Sequence, residues 1–418
     1  MVLSKSSKKL MSNFSFVENG SITTPSGFSA AGVTAGFKRS GAADCAMIYS
    51  EKPANFAAGF TSCVFAAAPV LVDKEIVKSS EFIRAVFVNS GNANACTGEN
   101  GLANARKTCE MVADKLNISA QEVMVSSTGR IGVQMPMDIV AKGVELAANA
   151  LSRDGGIDAS KAIMTTDTVN KSVAVELEID GKVVRIGAMT KGAGMIDPSM
   201  RVLHATMLCY ITTDAEISNA DLANMLDENV EQSFNRITID GDMSTNDTTI
   251  IMANGASGVK ILAGTSAYND FKTALLSVMQ ELARKMVYDG EGATKFVEVK
   301  IVNAKNYDEA KMLAEAVANS LLCKTAWFGC DPNWGRVVAA LGYAKVEFNP
   351  NLVNIFYDDK IVVRNGGDAG TPEEDLASIM KKREFNVLVD MNCGSSDYFV
   401  WTSDVSYEYV KINADYHT

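Results

Sequence analysis

The sequence predicts an α/β or α+β protein made of two tightly joined, layered sheet-and-helix domains. Segments typical of strands and of helices alternate along the chain, which is the pattern of layered sheet-and-helix architectures. With 418 residues the chain is too long for one ordinary hydrophobic core. No repeat, low-complexity tract or flexible linker divides it, so we expect the domains to pack directly against each other.

A β-hairpin at Asp180-Gly181 is the clearest local prediction. This dipeptide suits the two-residue type I′ turn that joins antiparallel strands. The turn would pair Val175 with Ile186 on one face and Glu176 with Arg185 on the other. One register therefore explains an apolar face and a charge pair together.

Three further segments have recognisable patterns in the second half of the chain. Apolar residues recur at i, i+3, i+4 and i+7 from 271 to 286, which predicts an amphipathic helix. The alternation between 297 and 301 predicts the next strand. Residues 331–336 are typical of a turn in front of a helix.

Apolar runs in the first half predict buried strands. Ile83–Val88 and Val123–Ser126 are such runs, and each is followed by a polar, Gly-containing segment that we expect to be a loop, 89–94 and 127–129. The apolar stretch 60–72 contains two hydroxyl residues and a proline, so it predicts a buried strand and its exit.

Composition excludes several classes of function. The net charge of −11, with no cluster of Lys or Arg, argues against a nucleic-acid partner. No apolar stretch reaches the roughly 18 residues that a membrane helix needs. The two histidines, His204 and His417, are too few for a His-rich metal site, and a Ser-His-Asp triad would need one of them as its base.

The eight cysteines contain no C-x-x-C pair, which favours reduced, mostly buried thiols in a reducing compartment. The first 17 residues carry three lysines and no acid, but no arginine and no hydrophobic region, and so resemble a transit peptide only weakly. We expect a cytoplasmic protein, with the mitochondrial matrix as the alternative.

No single motif identifies the function. The spacing of residues 191–194, for example, matches neither of the usual glycine-rich nucleotide loops. The combination is more specific. In chain order the motifs are Gly27–Gly32, Val88–Gly98, Ser127–Gly129, Met164–Thr168, Lys191–Ile196, Ala205–Leu208, Phe234–Asp242, Asp331–Arg336 and Ile412–Thr418.

In that order these motifs resemble the ornithine acetyltransferase family, the glutamate N-acetyltransferases of arginine biosynthesis. The resemblance extends from about Gly27 to Thr418 and implies an N-terminal-nucleophile-type acetyltransferase fold. It also implies that the chain cleaves itself between Ala205 and Thr206. Residues 1–205 would form the first subunit, with an oxyanion-hole loop, and residues 206–418 the second, beginning with the nucleophile.

The freed α-amine of Thr206 can act as general base at neutral pH, since α-amines have a pKa near 8. The resemblance implies a ping-pong cycle in which Thr206 accepts acetyl from N-acetylornithine and passes it to glutamate. Thr128 and Gly129 would stabilise the oxyanion. The implied substrate contacts are Thr165, Lys191, Thr206, Glu291, Asn413 and Thr418.

Two of these contacts have charges that suit the substrate. Lys191 would bind the amino-acid carboxylate, and Glu291 the side-chain ammonium. We expect no metal or cofactor, and whether acetyl-CoA also serves as a donor stays open. The implied partners are the substrates and the two cleaved subunits, assembled as a heterotetramer.

Two other functions remain as alternatives. N-terminal-nucleophile folds also include amidases and aminopeptidases, in which water would replace glutamate as acceptor. Compared with the family, the chain has an apparent four-residue insertion, Arg201–His204, before the scissile bond. If this insertion blocked cleavage, the protein would be an unprocessed, non-enzymatic homologue.

Overall fold

The computed structural model describes residues 13–197 and 207–415. Its strands are β1 (Phe14–Phe16), β2 (Phe28–Val33), β3 (Cys45–Phe60), β4 (Ile83–Asn92), β5 (Val123–Arg130), β6 (Lys171–Ile179), β7 (Lys182–Lys191), β8 (Leu208–Thr213), β9 (Ile237–Thr238), β10 (Thr248–Ala253), β11 (Phe296–Ala304), β12 (Asn354–Tyr357), β13 (Lys360–Arg364), β14 (Gly367–Asp368), β15 (Glu384–Asp390) and β16 (Ser396–Ser403).

The helices follow the strands at short intervals. They are α1 (Ala68–Ser79), α2 (Gly98–Leu116), α3 (Met137–Ala150), α4 (Gly156–Ala162), α5 (Asn219–Glu231), α6 (Ser266–Tyr288), α7 (Tyr307–Ala318), α8 (Leu321–Phe328), α9 (Trp334–Gly342), α10 (Glu373–Met380) and α11 (Tyr407–Asp415). The predicted nucleophile Thr206, with Ala205, the insertion 201–204 and Thr418, lies outside the described residues.

The larger sheet contains nine strands of the described chain, in the order β1-β6-β7-β8-β10-β3-β4-β5 with β2 beside β3. Helices α1 to α4 cover one face and share a core with it. Helices α5 and α6 cover the opposite face, where a second core forms. The predicted class of layered sheets and helices is confirmed.

Strand β8 lies in the interior of this sheet. It runs antiparallel to β7 and parallel to β10, with Leu208 aligned to both Lys191 and Thr248. The expected subunit boundary before residue 206 therefore falls within a single sheet. A cut there would leave β8 hydrogen-bonded on both edges, so the two pieces would stay together.

The second sheet, as far as the chain is described, has seven strands in the order β14-β13-β12-β15-β11-β16-β9. It forms a third core with helices α7 to α10. The two layered units meet directly, because the ring of Tyr288 at the end of α6 stacks on Phe296 of β11 with centroids 4.5 Å apart. Trp401 of β16 is also part of the core beneath α6.

The predictions that depend on short-range sequence patterns are confirmed. Strands β6 and β7 pair in the predicted register, including Val175 with Ile186 and Glu176 with Arg185. Asp180 has the positive φ (51°) that a type I′ turn requires. The apolar positions between 271 and 286 are buried along α6, β11 follows, and α9 begins at Trp334.

Three predictions were wrong, two in the boundaries of elements and one in the burial of the cysteines. The segments 89–94 and 127–129 are not simply loops, since β4 continues to Asn92 and β5 to Arg130, with Ser90 paired to Thr128. The stretch 60–72 is a strand end, a turn and the start of α1, because a proline in the first turn of a helix is favourable. Only four of the eight free cysteines are buried.

No helix within 13–197 or 207–415 is long and apolar enough to cross a membrane.

Candidate active site

The candidate site is a cavity of about 110 Å³ between the ends of β5, β7 and β8 and the segments that follow α6 and β16. Met207, which directly follows the expected nucleophile in the sequence, lines it. The predicted site residues within the described chain all lie on its wall, and they are Thr128, Gly129, Thr165, Lys191, Glu291 and Asn413. The fold thus brings together residues from five distant parts of the sequence.

The end of β5 presents the two residues expected to bind the oxyanion. Gly129 has φ of 126°, and a Cβ there would lie 2.5 Å from the carbonyl carbon of Gly91. Only glycine allows β4 and β5 to approach this closely. Thr128, 8% exposed, precedes it on the cavity wall.

Asparagine side chains hold the end of β5 in position. Asn246 donates through Nδ2 to the carbonyl oxygens of Ser127 (2.8 Å) and Ala93 (2.6 Å). The Ser127 hydroxyl donates to Oδ1 of Asn89 at 2.7 Å. These buried hydrogen bonds fix the backbone that leads into Thr128.

Lys191, the last residue of β7, supplies the cation of the site. Its Nζ donates to Oγ1 of Thr165 at 3.1 Å. Burial lowers the pKa of Lys191, while the carboxylates of Asp167 and Asp247 act in the opposite direction. An ammonium group has three N–H donors, so Lys191 can bind a carboxylate ligand as well as Thr165.

Glu291 supplies the anion. It is 7% exposed, and its Oε2 accepts a hydrogen bond from Nδ2 of Asn413 at 2.7 Å. A Cβ on Gly194 would lie 2.3 Å from Cδ of Glu291. The absence of a side chain at Gly194, in the glycine-rich segment after β7, therefore leaves room for the Glu291 carboxylate.

Three buried charged groups, Lys171, Asp167 and Asp289, form a triad close to Lys191. Nζ of Lys171 is 2.6 Å from Oδ1 of Asp167 and 2.6 Å from Oδ2 of Asp289. Asp167 also accepts from the backbone N–H groups of Thr165 (3.0 Å) and Gly192 (2.8 Å). Burial by itself would raise the pKa of Asp167, but Lys171 and Lys191 bring it to about 2.

Helix α11 closes the cavity from the carboxyl end of the chain. The Ser406 hydroxyl donates to the carbonyl oxygen of Gly292 at 2.7 Å, at the start of the helix. The Tyr409 hydroxyl lies 3.3 Å from Oδ2 of Asp240. One turn further on, Asn413 contacts Glu291, so α11 sets the position of a predicted substrate contact.

Four site residues were not predicted from the sequence. Lys171 and Asp289 are 118 positions apart, and no sequence pattern connects them. Asn246 and Asp247 directly precede the buried strand β10, and polar residues at the start of an apolar run are the one signal that could have indicated them. In the part of the chain that is described, no cluster of His, Cys, Asp or Glu could hold a metal ion.

The family model described as the ArgJ family matches residues 29–418. The chain belongs to the ArgJ family. Two similar proteins match almost end to end. The arginine biosynthesis bifunctional protein ArgJ of Caldanaerobacter subterraneus subsp. tengcongensis is 45% identical, over 96% of this chain and 99% of its own. The glutamate N-acetyltransferase of Methanocaldococcus jannaschii is 45% identical, over 96% of this chain and 100% of its own.

Solved ArgJ structures match part of the chain. ArgJ of Bacillus halodurans is 38% identical, with a TM-score of 0.43 over 45% of this chain and 97% of that one. Ornithine acetyltransferase of Mycobacterium tuberculosis, solved with ornithine, is 40% identical, with a TM-score of 0.42 over 45% of this chain and 99% of that one.

Proposed function

We propose that this ArgJ-family chain is a glutamate N-acetyltransferase of arginine biosynthesis that cleaves itself between Ala205 and Thr206. It moves acetyl from N-acetylornithine to glutamate through an ester on the Thr206 hydroxyl. One observation carries the proposal: the cavity beside residue 207 combines an expected oxyanion site at Thr128 and Gly129 with a cation and an anion. An α-amino acid that carries a second amine, such as the ornithine moiety of the donor, needs that set of groups.

In the proposed reaction, the Thr206 hydroxyl attacks the acetyl carbonyl and its proton passes to the α-amine of the same residue. The tetrahedral oxyanion accepts hydrogen bonds from the Thr128 hydroxyl and the Gly129 N–H. As the intermediate collapses, the α-ammonium returns its proton to the departing nitrogen, so that ornithine leaves and acetyl-Thr206 remains. Glutamate then attacks the ester in the same way. Each half-reaction uses the same oxyanion site, which suits a ping-pong cycle.

Charge orients the donor in this scheme. Lys191 binds the α-carboxylate, and Glu291 binds the δ-ammonium of the ornithine moiety. Asn413 fixes the Glu291 carboxylate, and Thr165 contacts the Lys191 ammonium. The two charges on one cavity wall favour a substrate that carries both signs.

We predict that Thr128→Ala lowers kcat for acetyl transfer by about 10²–10³-fold, the usual effect of losing one oxyanion donor. KM should change little, because the hydroxyl acts on the transition state. Steady-state kinetics with N-acetylornithine and glutamate measure both. Thr273→Ala, at an exposed position of α6, is the control. Near-normal kcat in the Thr128 variant would remove this residue from the mechanism.

Glu291→Gln should weaken ornithine binding by about 10-fold or more, because a charge-assisted contact is lost while the shape is kept. The amide oxygen can still accept from Asn413, so the site should keep its geometry. Titration calorimetry with ornithine gives the affinity, and the exposed Glu178→Gln variant is the comparison. Unchanged affinity would exclude an ammonium-binding role for Glu291.

Mass spectrometry and an acceptor assay together test the whole proposal. We expect fragments of 205 and 213 residues, and acetyl transfer that depends on glutamate. Acetate release at an equal rate without glutamate would favour the amidase alternative. A chain that stays intact would favour the non-enzymatic one. We further expect no cofactor requirement, a cytoplasmic location and an assembly of two copies of each subunit.

A further inference from the structure

Asp240 belongs to the Phe234–Asp242 motif, to which the proposed function gives no role. It lies two residues after β9 and is half-buried. Its carboxylate accepts hydrogen bonds from two consecutive backbone N–H groups of the glycine-rich segment after β7, that of Met195 at 2.7 Å and that of Ile196 at 2.8 Å. Successive N–H groups that point at one anion form a specific binding site for it.

The backbone of this segment has an unfavourable conformation at one residue. Met195 has φ of 55°, in the left-handed region that residues other than glycine seldom adopt. Such a conformation persists only where its surroundings fix it. The Ile239 N–H donates to the carbonyl oxygen of Ile196 at 2.7 Å. The hydrogen bonds to residues 239 and 240 therefore supply the constraint that this segment needs.

The constrained segment forms the cavity wall next to the anion of the site. Met195 and Ile196 line the cavity. A Cβ on Gly194, the residue before them, would lie 2.3 Å from Cδ of Glu291. The Glu291 N–H also donates to the carbonyl oxygen of Ala193 at 2.8 Å. The position of the segment therefore sets the space that is available to the Glu291 carboxylate.

The Asp240 carboxylate also contacts the helix that holds Glu291. The Tyr409 hydroxyl of α11 donates to its Oδ2 at 3.3 Å. One turn later, Nδ2 of Asn413 donates to the carbonyl oxygen of Tyr409 at 3.0 Å and to Oε2 of Glu291 at 2.7 Å. Asp240 is therefore bonded to both structures that contact Glu291, the glycine-rich segment and α11.

We propose that Asp240 is a positioning residue for substrate recognition. It ties the glycine-rich segment to α11 and so fixes Glu291 where it binds the side-chain ammonium of the donor. The inference rests on the proposed function, because it takes that ammonium as the partner of Glu291. Since Asp240 acts on the substrate only through Glu291 and Asn413, its loss should weaken the preference for a charged donor more than it slows the chemical step.

Asp240→Asn tests the role of the carboxylate, because it keeps the size of the side chain and replaces one acceptor by a donor. One of the two N–H groups at residues 195 and 196 would then face an amide NH2 group. The segment should lose part of its constraint, and the Glu291 carboxylate should lose its fixed position.

Asp214→Asn is the matched control. Asp214 is buried and likewise accepts from two backbone N–H groups, those of Ser26 at 3.0 Å and Arg185 at 2.8 Å. It directly follows β8, at the opposite end of that strand from Leu208, which lines the cavity. This variant therefore reports the general effect of neutralising a carboxylate that holds backbone N–H groups.

Two donors measure the recognition of the ammonium. N-acetylornithine carries it, and N-acetyl-2-aminopentanoate has the same carbon chain without it. The ratio of their kcat/KM values, with glutamate as acceptor, removes the effects that both donors share. In Asp240→Asn we expect this ratio to fall by about 10-fold, as for a displaced charge-assisted contact, while kcat for N-acetylornithine changes much less. Asp214→Asn should keep the wild-type ratio. An unchanged ratio in Asp240→Asn overturns the inference.

Tyr409→Phe gives a second test that does not depend on the folding of Asp240→Asn. It keeps the ring and removes only the hydrogen bond between α11 and Asp240. We expect the donor ratio to fall by about 3-fold, the effect of one neutral hydrogen bond. An unchanged ratio in this variant contradicts the link between Asp240 and α11, and with it the proposal.

Hydrogen exchange separates this inference from the proposed function, because it needs no substrate. The amides of residues 195 and 196 should exchange faster in Asp240→Asn than in the wild type or in Asp214→Asn, and equal rates would overturn the role of Asp240. A wild type that transfers acetyl from neither donor overturns the proposed function, whatever the exchange rates. A wild type that prefers the charged donor, with the same preference in Asp240→Asn, overturns only the role of Asp240.

Discussion

Thr206→Ala should leave the 418-residue chain in one piece and lower acetyl transfer by about 10⁴–10⁶-fold, the range seen when an enzyme loses its nucleophile. One hydroxyl is proposed both to open the peptide bond and to carry the acetyl group, so both activities should vanish together. Intact-mass measurement reports the first, and a transfer assay with N-acetylornithine and glutamate reports the second.

Two further variants make the Thr206 result interpretable. Thr206→Ser keeps a hydroxyl and should still be cleaved, whereas Thr273→Ala should behave as wild type. Strand β8 begins at Leu208 and is held by β7 and β10 whether or not the chain is cut, so the alanine variant should fold normally by circular dichroism. A Thr206→Ala protein that still splits, or still transfers acetyl at a normal rate, would refute the mechanism.

Features that depend on residues close together in the chain could be predicted from the sequence. The hairpin at Asp180-Gly181 and helix α6 depend on turn chemistry and on side-chain spacing within one element. Both are local properties, and both were predicted at the right positions. The order of strands in the nine-stranded sheet was not predictable, because it depends on pairings between distant segments such as β10 with β3.

The candidate site, like the fold, could be predicted only in part from the sequence. Motif order identified residues that line the cavity, such as Thr165 and Lys191, because they belong to recognisable segments. It did not identify the groups that hold those segments in place. Asn246 supports the end of β5 from more than 100 positions away, and its environment exists only once the chain has folded. Strand ends were also misjudged, since polar residues at 89–94 resemble a loop until parallel pairing is known.

Lys171→Met should reduce the free energy of unfolding by about 3–5 kcal/mol at neutral pH, because it leaves two buried carboxylates without their cation. The fully buried ammonium contacts Asp167 and Asp289 at 2.6 Å each. Denaturant titration in the Thr206→Ala background measures this on an uncut chain. Lys107→Met, which breaks an exposed pair with Glu110, should leave the free energy of unfolding nearly unchanged, because solvent screens exposed pairs.

The effect of Lys171→Met should depend on pH in a defined direction. In the wild type, Asp167 has a pKa of about 2 against an ordinary 3.8, so its stabilising contribution is present above about pH 4 and lost as the pH falls towards 2. Without Lys171, burial dominates and raises the pKa of Asp167 relative to the wild type. The variant then gains stability relative to wild type as acid protonates this carboxylate.

The difference in unfolding free energy between wild type and Lys171→Met should therefore be largest at neutral pH and shrink as the pH falls through the raised pKa of Asp167 in the variant towards 2. Because Asp167 also holds the backbone N–H groups of Thr165 and Gly192, KM for N-acetylornithine should rise in a cleaved Lys171→Met enzyme at neutral pH. A stability difference that stayed constant from pH 7 to pH 3 would mean that the lysine acts through packing and not through its charge.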